Sequence, residues 1–222
     1  MHTTNNYRPM TQPAMPTKKP IVFASSNVGK IRELDELLAP LNMQVKSQVE
    51  LGVEPLPETA VTFIENAIVK ARHASSITGF AAIADDSGLE VDALGGAPGL
   101  YSARFAKMHD AGEGDDDNNT LLLKKLESIP DEKRTARFRS VMVFLQHEND
   151  PSPIIAQGVW EGRILHEAVS GGGFGYDPVF RNSDTNQASS TLSKDEKNQF
   201  SHRGKAVRTL IEALKNQRAL VY

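Results

Sequence analysis

The apolar run Ile21-Val22-Phe23-Ala24 is closed by the polar turn Ser25-Ser26-Asn27. From Lys30 to Leu38 the apolar positions Ile31, Leu34, Leu37 and Leu38 then recur at helical spacing until Pro40. This predicts strand, loop and helix. A second strand is expected from Met43 to Ser47, followed by a Pro-containing acidic loop to Glu58. From Thr62 to Ser75 the residues Phe63, Ala67, Ile68 and Ala71 share one helical face, and Gly79 ends the segment. Ala81 to Ala84 predicts a buried strand running into Asp85-Asp86-Ser87-Gly88, a turn composition, with a further strand at Leu89 to Val91. The two acids are therefore expected at a strand end.

In the second half, Gly95, Gly96, Pro98 and Gly99 mark a loop, Asp110 to Asn119 an acidic, mobile surface loop, and Thr120 to Leu126 a short helix. Ala136 to Gln146 and Ile154 to Glu161 flank the turn-rich His147 to Pro153 and predict a long antiparallel hairpin, the candidate second lobe. Gly171 to Phe180 is Gly-rich with interleaved aromatics, Ser193 with Glu196 forms a capping-box pattern, and Ala206 to Lys215 is a last amphipathic helix. The element order gives a mixed α/β sheet flanked by helices. Met1 to Lys19, with Pro9, Pro13 and Pro16 among polar residues, predicts a disordered lead-in without the apolar core of a signal peptide. Residues 20–222 then form one domain.

Composition narrows the function classes. No apolar run approaches the roughly 18 residues a membrane helix needs, so no membrane is expected. With no cysteine there is no disulfide, no thiolate nucleophile and no Cys-ligated zinc, which suits a cytoplasmic location. The net charge of -3 argues against a polyanion-binding surface, and Lys133, Arg134, Arg137 and Arg139 alternate like the solvated face of a strand. No nucleic-acid partner is expected.

Four groups of residues could carry chemistry. Ser25-Ser26-Asn27-Val28-Gly29-Lys30 is a strand-to-helix loop whose amides and Lys30 ammonium suit phosphate oxygens, or else a turn that caps the helix. It is not a P-loop, because Ala24 and Ile31 replace the first Gly and the metal-binding Ser/Thr. Asp85 and Asp86 suit a hard cation such as Mg2+ and an activated water, or a surface turn, and Glu58 or Glu65 could add a ligand or remain a solvated charge. Phe174-Gly175-Tyr176-Asp177 offers an aromatic face and an acceptor for a base, or a packed turn, with Lys197, His202 and Arg203 as nearby cationic donors or solvent-facing charges. Together they provide cations, acids and a stacking ring, the parts a polyphosphate nucleotide requires.

Taken in order, Ser26-Asn27 with Lys30, Thr62 to Ala67, Ala84 to Leu89, Gly95 to Gly99, Gly172 to Pro178 and Ser201 to Gly204 resemble the inosine triphosphate pyrophosphatase family, the dITP/XTP pyrophosphatases. The resemblance covers Ile21 to Gln217. It implies an elongated α/β fold with a long central sheet, a cleft between two lobes, a homodimer, and Mg2+-dependent hydrolysis to nucleoside monophosphate and pyrophosphate. By the same resemblance Ser25 to Lys30 contact the triphosphate, Asp86 is proton acceptor and metal ligand assisted by Asp85, and Ser87 contacts substrate. Phe174 to Asp177, Lys197, His202 and Arg203 bind the base, and Glu58 is a second metal ligand. Other expectations compatible with these residues are a nucleotide sensor without turnover and a pyrophosphatase for modified pyrimidine or standard nucleotides.

Overall fold

The computed structural model describes residues 19–219, so the expected lead-in lies outside the described residues except for Lys19. Strand β1 (Lys19–Phe23) starts at that lysine, one residue before the expected Pro20, because Lys19 already pairs with Met43 of β2 (Met43–Ser47). Ile21, Val22 and Phe23 are all buried, as a strand with neighbours on both sides requires. Those neighbours are β2 and β3 (Ala81–Val91), both parallel to β1. Parallel neighbours need crossovers, supplied by α1 (Val28–Leu38) and α2 (Phe63–Thr78). Helix α1 begins two residues earlier than its apolar spacing indicates, since the Asn27 side chain accepts from Lys30 N at 3.0 Å. Thr62 caps α2 in the same way, and Gly79 at φ 69° closes it.

The remaining strands are antiparallel: β4 (Thr135–Leu145), β5 (Ile154–Ile164) and β6 (Phe180–Asn182) complete the order β2-β1-β3-β4-β5-β6. Strand β3 corrects the expected turn at Asp85-Asp86-Ser87-Gly88. It is continuous, because Ala82 to Val91 all pair with Leu145 to Ala136, so the cross-strand ladder engages the backbone that a turn would have had to satisfy. Gly88 is required there by close approach: a Cβ would strike Gly99 O and Ser102 Oγ. The hairpin forms as expected, and it continues the main sheet through the β3–β4 ladder. Strand β4 lies in mid-sheet, paired on both sides, and runs through both ends of the molecule.

Three other expectations change. Helix α3 (Asp115–Lys125) starts inside the expected acidic loop, where Asp115, Asp116 and Asp117 in its first turn oppose the positive end of the helix dipole. Helix α4 (Lys194–Phe200) carries the capping box of Ser193 and Glu196, while α5 (His202–Ala219) starts four residues before the expected Ala206. Arg134 is not on a solvated face. It is 1% exposed and donates to Leu126 O at 2.9 Å, past the end of α3, and to Leu165 O at 2.7 Å. Arg137 and Arg139 pair with Glu90, Asp92 and Glu161 across the strands.

Alternation along the strands sends side chains to two faces. Ile21, Phe23, Met142 and Phe144 meet Leu34 of α1 and Leu210 and Leu214 of α5, while Val22, Val141, Val143 and Leu145 meet Ala67, Ala71 and Ala74 of α2. A third cluster, Leu89, Val91, Phe138, Trp160, Ile164 and Phe180, fills the other end of the sheet with Leu122 of α3. Along β3 the apolar residues Ala82 to Ala84 belong to the first end and Leu89 and Val91 to the second. Asp85, Asp86 and Ser87 fall between them.

Helix α5 crosses β5 at Gly158, where a Cβ would strike His202 O and Ala206 N, two backbone atoms. Gly158→Ala is therefore expected to lower stability by about 1–3 kcal/mol through overpacking, read as a lower urea midpoint. An unchanged midpoint contradicts this packing.

Candidate functional site

Strand β1 makes its last pair with β3 at Phe23↔Ile83, and only Ala24 N reaches further, to Ile83 O at 2.8 Å. Beyond this point β3 continues without β1 beside it, so one of its edges is open from Asp85 to Gly88, until Leu89 N meets Ser102 Oγ and Glu90 bridges Pro98. At the C-terminal ends of parallel strands such an opening is a crevice into which loops and helix N-termini lead. A cavity of about 290 Å³ lies there, and Ser25, Ser26, Lys30, Glu58, Lys70, Asp85, Asp86 and Ser87 line it. The open edge explains how both acids reach one cavity although neighbouring strand residues point to opposite faces.

Each acid has its own cations. Asp85 Oδ2 receives Lys30 Nζ at 2.7 Å and stands 3.7 Å from Arg203 Nε. Burial alone would raise its pKa, but Lys30 and Arg203 outweigh burial and hold it at about 2. On the other side, Lys70 Nζ lies 3.2 Å from Asp86 Oδ1 and 2.8 Å from Glu58 Oε1, and Arg104 Nη1 lies 3.5 Å from Glu58 Oε2. Burial, with the Glu58 charge, raises Asp86 above the usual carboxylate range even though Lys70 and Asn66 pull it down. Glu58 is lowered, Lys70 and Arg104 prevailing over its burial. Lys70 is raised, because Asp86 and Glu58 outweigh the burial that opposes its charge. The pair Asp85-Asp86 is thus a stable anion beside a carboxylate that takes up protons more readily.

The other candidates sort around this cavity. Asn27, Val28 and Gly29 do not line it: Asn27 Oδ1 is spent on the helix cap and Val28 is exposed. Glu65 is not at the acids, since its carboxylate accepts from Thr62 Oγ1 at 2.8 Å in the N-terminal turn of α2. Phe174, Asp177, Lys197 and Arg203 form a second cluster next to the cavity. Lys197 Nζ lies 2.8 Å from Asp177 Oδ2, which also accepts Phe174 N at 3.0 Å, and Arg203 Cζ stands 5.5 Å from the centre of the Phe174 ring. Phe174 is 57% exposed, with the Arg203 guanidinium over its ring. Gly175 is fixed to α3 by Asp115 and Asn119. The Tyr176 side chain is buried, its hydroxyl donating to Ser102 O at 2.8 Å. His202 stacks on Phe138 at 4.7 Å between ring centres, and burial together with Arg203 and Lys30 holds its pKa well down, so the ring is neutral. Arg203 joins the two clusters through Asp85.

Lys70, Arg104 and Asn66 were not singled out from the sequence. Lys70 follows Asn66 by four residues on α2, which places both on one helix face, and that spacing was the available signal. Arg104 had none, because it enters through the fold of the short 3-10 segment Gly99–Arg104. The donor set suits a hard cation in part. Asp86 Oδ2 is buried without a hydrogen-bond partner among the described residues, and Glu58 lies across Lys70 from it. Among the described residues, however, no three His, Cys, Asp or Glu side chains gather as a metal cage.

The family model described as the Ham1 family matches residues 21–213. A dITP/XTP pyrophosphatase of Pectobacterium atrosepticum is 51% identical over 196 residues, covering 88% of this chain and 98% of that protein. One from Vibrio vulnificus is 53% identical over 201 residues, covering 90% and 98%. Among solved structures, a HAM1 protein from Coxiella burnetii superposes with a TM-score of 0.83 at 42% identity, covering 89% of this chain and 99% of that one. The resemblance carried by the sequence motifs is thereby borne out for family and fold, and the chain belongs to the Ham1 family.

Proposed function

We propose that this protein hydrolyses deaminated purine nucleoside triphosphates, dITP/ITP and XTP, to the nucleoside monophosphate and pyrophosphate, removing them from the nucleotide pool. The observation that carries the reading is the open edge of β3, where two lysines and a proton-accepting carboxylate share one cavity beside an exposed ring with cationic donors. The relatives from Pectobacterium atrosepticum and Vibrio vulnificus, both dITP/XTP pyrophosphatases, point to the same substrates. Asp86, with its raised pKa, accepts a proton from a water, whose oxygen bonds to the α-phosphorus as the bond to the bridging oxygen of the departing pyrophosphate breaks. Lys30 neutralises charge on the leaving group, with Ser25 and Ser26 beside it in the cavity. Asp86 and Glu58 are the residues to hold Mg2+, which when bound supplies Lewis-acid polarisation of phosphate oxygens. Asp85 takes no proton, and it places Lys30 and Arg203 by pairing with both.

Arg203, over the Phe174 ring, and Lys197, paired with the Asp177 carboxylate that accepts from Phe174 N, can donate to the 6-keto oxygen of hypoxanthine or xanthine; adenine would present an amino donor there instead. Two further readings accompany this function. The absence of cysteine supports a cytoplasmic location, and no helix among the described residues is long and apolar enough to cross a membrane. A homodimer is supported by the exposed Tyr101 and Met108 beside Leu94 and Phe105, an apolar groove on the surface.

Pyrophosphate release measured with Mg2+ across dITP, XTP, dATP, dGTP, dCTP and dTTP is expected to be strong for the first two alone. Uniform release across the panel, or none, removes the proposed selectivity or the activity. Asp86→Asn is expected to reduce kcat by about 100- to 10,000-fold while nucleotide affinity by calorimetry stays measurable, because the lysines and the ring remain. Retention of a tenth of the wild-type turnover places the proton acceptor elsewhere. Arg203→Ala should reduce kcat/KM for dITP by roughly 10- to 100-fold and leave dATP nearly unchanged, the loss of about 1–3 kcal/mol of pairing to the base. An unchanged dITP-to-dATP ratio moves Arg203 to the phosphates.

A further inference from the structure

The carboxylates that suit a metal are already neutralised by the protein. Lys70 Nζ stands 2.8 Å from Glu58 Oε1 and 3.2 Å from Asp86 Oδ1, and Arg104 Nη1 is 3.5 Å from the second Glu58 oxygen. The Lys70 side chain is only 17% exposed and comes from the second turn of α2, so it is fixed between the acids and does not sample solvent freely. Around the whole crevice Glu58, Asp85 and Asp86 contribute three negative charges, whereas Lys30, Lys70, Arg104 and Arg203 contribute four positive ones. A bare divalent cation is therefore met by no net negative charge. Asp85 is engaged by Lys30 and Arg203, and no three acids or histidines gather as a cage among the described residues, so a metal between Glu58 and Asp86 would also need oxygens from elsewhere to complete its shell. Asp86 Oδ2, buried and without a hydrogen-bond partner among the described residues, remains open to such an ion.

We propose that Lys70 is a built-in counter-cation that keeps the metal position shut in the free enzyme, and that a divalent cation enters together with the nucleotide's phosphates, which draw Lys70 off the two acids. The inference rests on the functional reading only in taking the ligand to be a polyphosphate. The phosphates supply both the missing ligand oxygens and a new partner for the lysine. Binding of metal and polyphosphate is then mutually reinforcing, since whatever one does to the affinity of the other is returned in equal measure. The exchange also runs backwards after hydrolysis. Once pyrophosphate leaves, the monophosphate offers the lysine less charge, and Lys70 returns to Glu58 and Asp86.

The test uses Mn2+ alone, without nucleotide, on the full chain stripped of metal, with free Mn2+ followed by electron paramagnetic resonance. Wild type should bind weakly, Lys70→Met about tenfold or more tightly, and Lys70→Arg as weakly as wild type, since it restores the cation. Lys70→Gln, polar and neutral, should show the same gain if Lys70→Met folds poorly. Mn2+ should also raise the melting temperature of the neutral variants and leave that of wild type in place. Adding Glu58→Gln to Lys70→Met should abolish the gain and so locate the ion. Equal Mn2+ affinity in wild type and both neutral variants, or weaker binding in the variants, overturns the proposal. Because the readout contains no substrate, an active enzyme without the gain sinks this inference alone, and a chain with the gain that releases no pyrophosphate from dITP sinks the catalytic reading alone.

Discussion

The pairing of β3 with β4 over ten residues is what the rest of the molecule hangs on. It keeps Asp85, Asp86 and Ser87 in an extended strand, although their composition favours a turn, and it carries that strand past the end of the much shorter β1. A strand held on one edge only can present both its faces to a single opening. Had β1 continued alongside, one carboxylate would be enclosed on each side of the sheet and no common cavity would exist. The two ends of the hydrophobic core make the same point from the packing side. Apolar residues of β3 serve one end up to Ala84 and the other from Leu89 on, and the polar stretch between them is left for chemistry.

That polar stretch is tolerable only because each buried charge is matched. Asp85 is buried and would be costly unpaired, on the order of 3–5 kcal/mol for a buried pair broken on one side, yet Lys30 from α1 and Arg203 from α5 both reach it. Asp86 and Glu58 share Lys70 from α2. Three helices that pack on two different faces of the sheet therefore converge on one crevice through ion pairs. The pairs hold the cationic side chains in place for an anionic ligand, which is preorganisation. The difference between Asp85, held at about 2, and Asp86, raised, follows from this division of partners more than from their adjacency.

Much of the fold was legible from the residues. The apolar runs placed β2 exactly and β1, α1, α2, β4 and β5 within a few residues, because these segments bury one face or both and their periodicity reports it directly. Boundaries moved where a side chain acts locally, as with the Asn27 cap that starts α1 early and the Asp115 to Asp117 turn that turns an acidic loop into the start of α3. The chemistry these residues suit could be read as well, since Lys30, Asp85, Asp86, Phe174, Lys197 and Arg203 together supply the cations, acids and ring that a phosphorylated, ring-bearing ligand requires.

The sequence by itself determined the mixed α/β class, the capping box of Ser193 and Glu196, the central motifs and the chemistry they suit, because each of these depends on residues close together in the chain. Tertiary structure alone decided that β3 runs unbroken through the acids, since that depends on hydrogen bonds to a strand some fifty residues away. It also decided that Arg134 is buried at the end of α3, that Tyr176 belongs to the core, that Glu65 serves a helix cap while Glu58 meets Asp86, and that Lys70 stands between those two acids. A charged side chain has the same appearance in sequence whether it faces water or a partner. What distinguishes the cases is the electrostatic company it keeps after folding, and that company arrives from other elements of the chain.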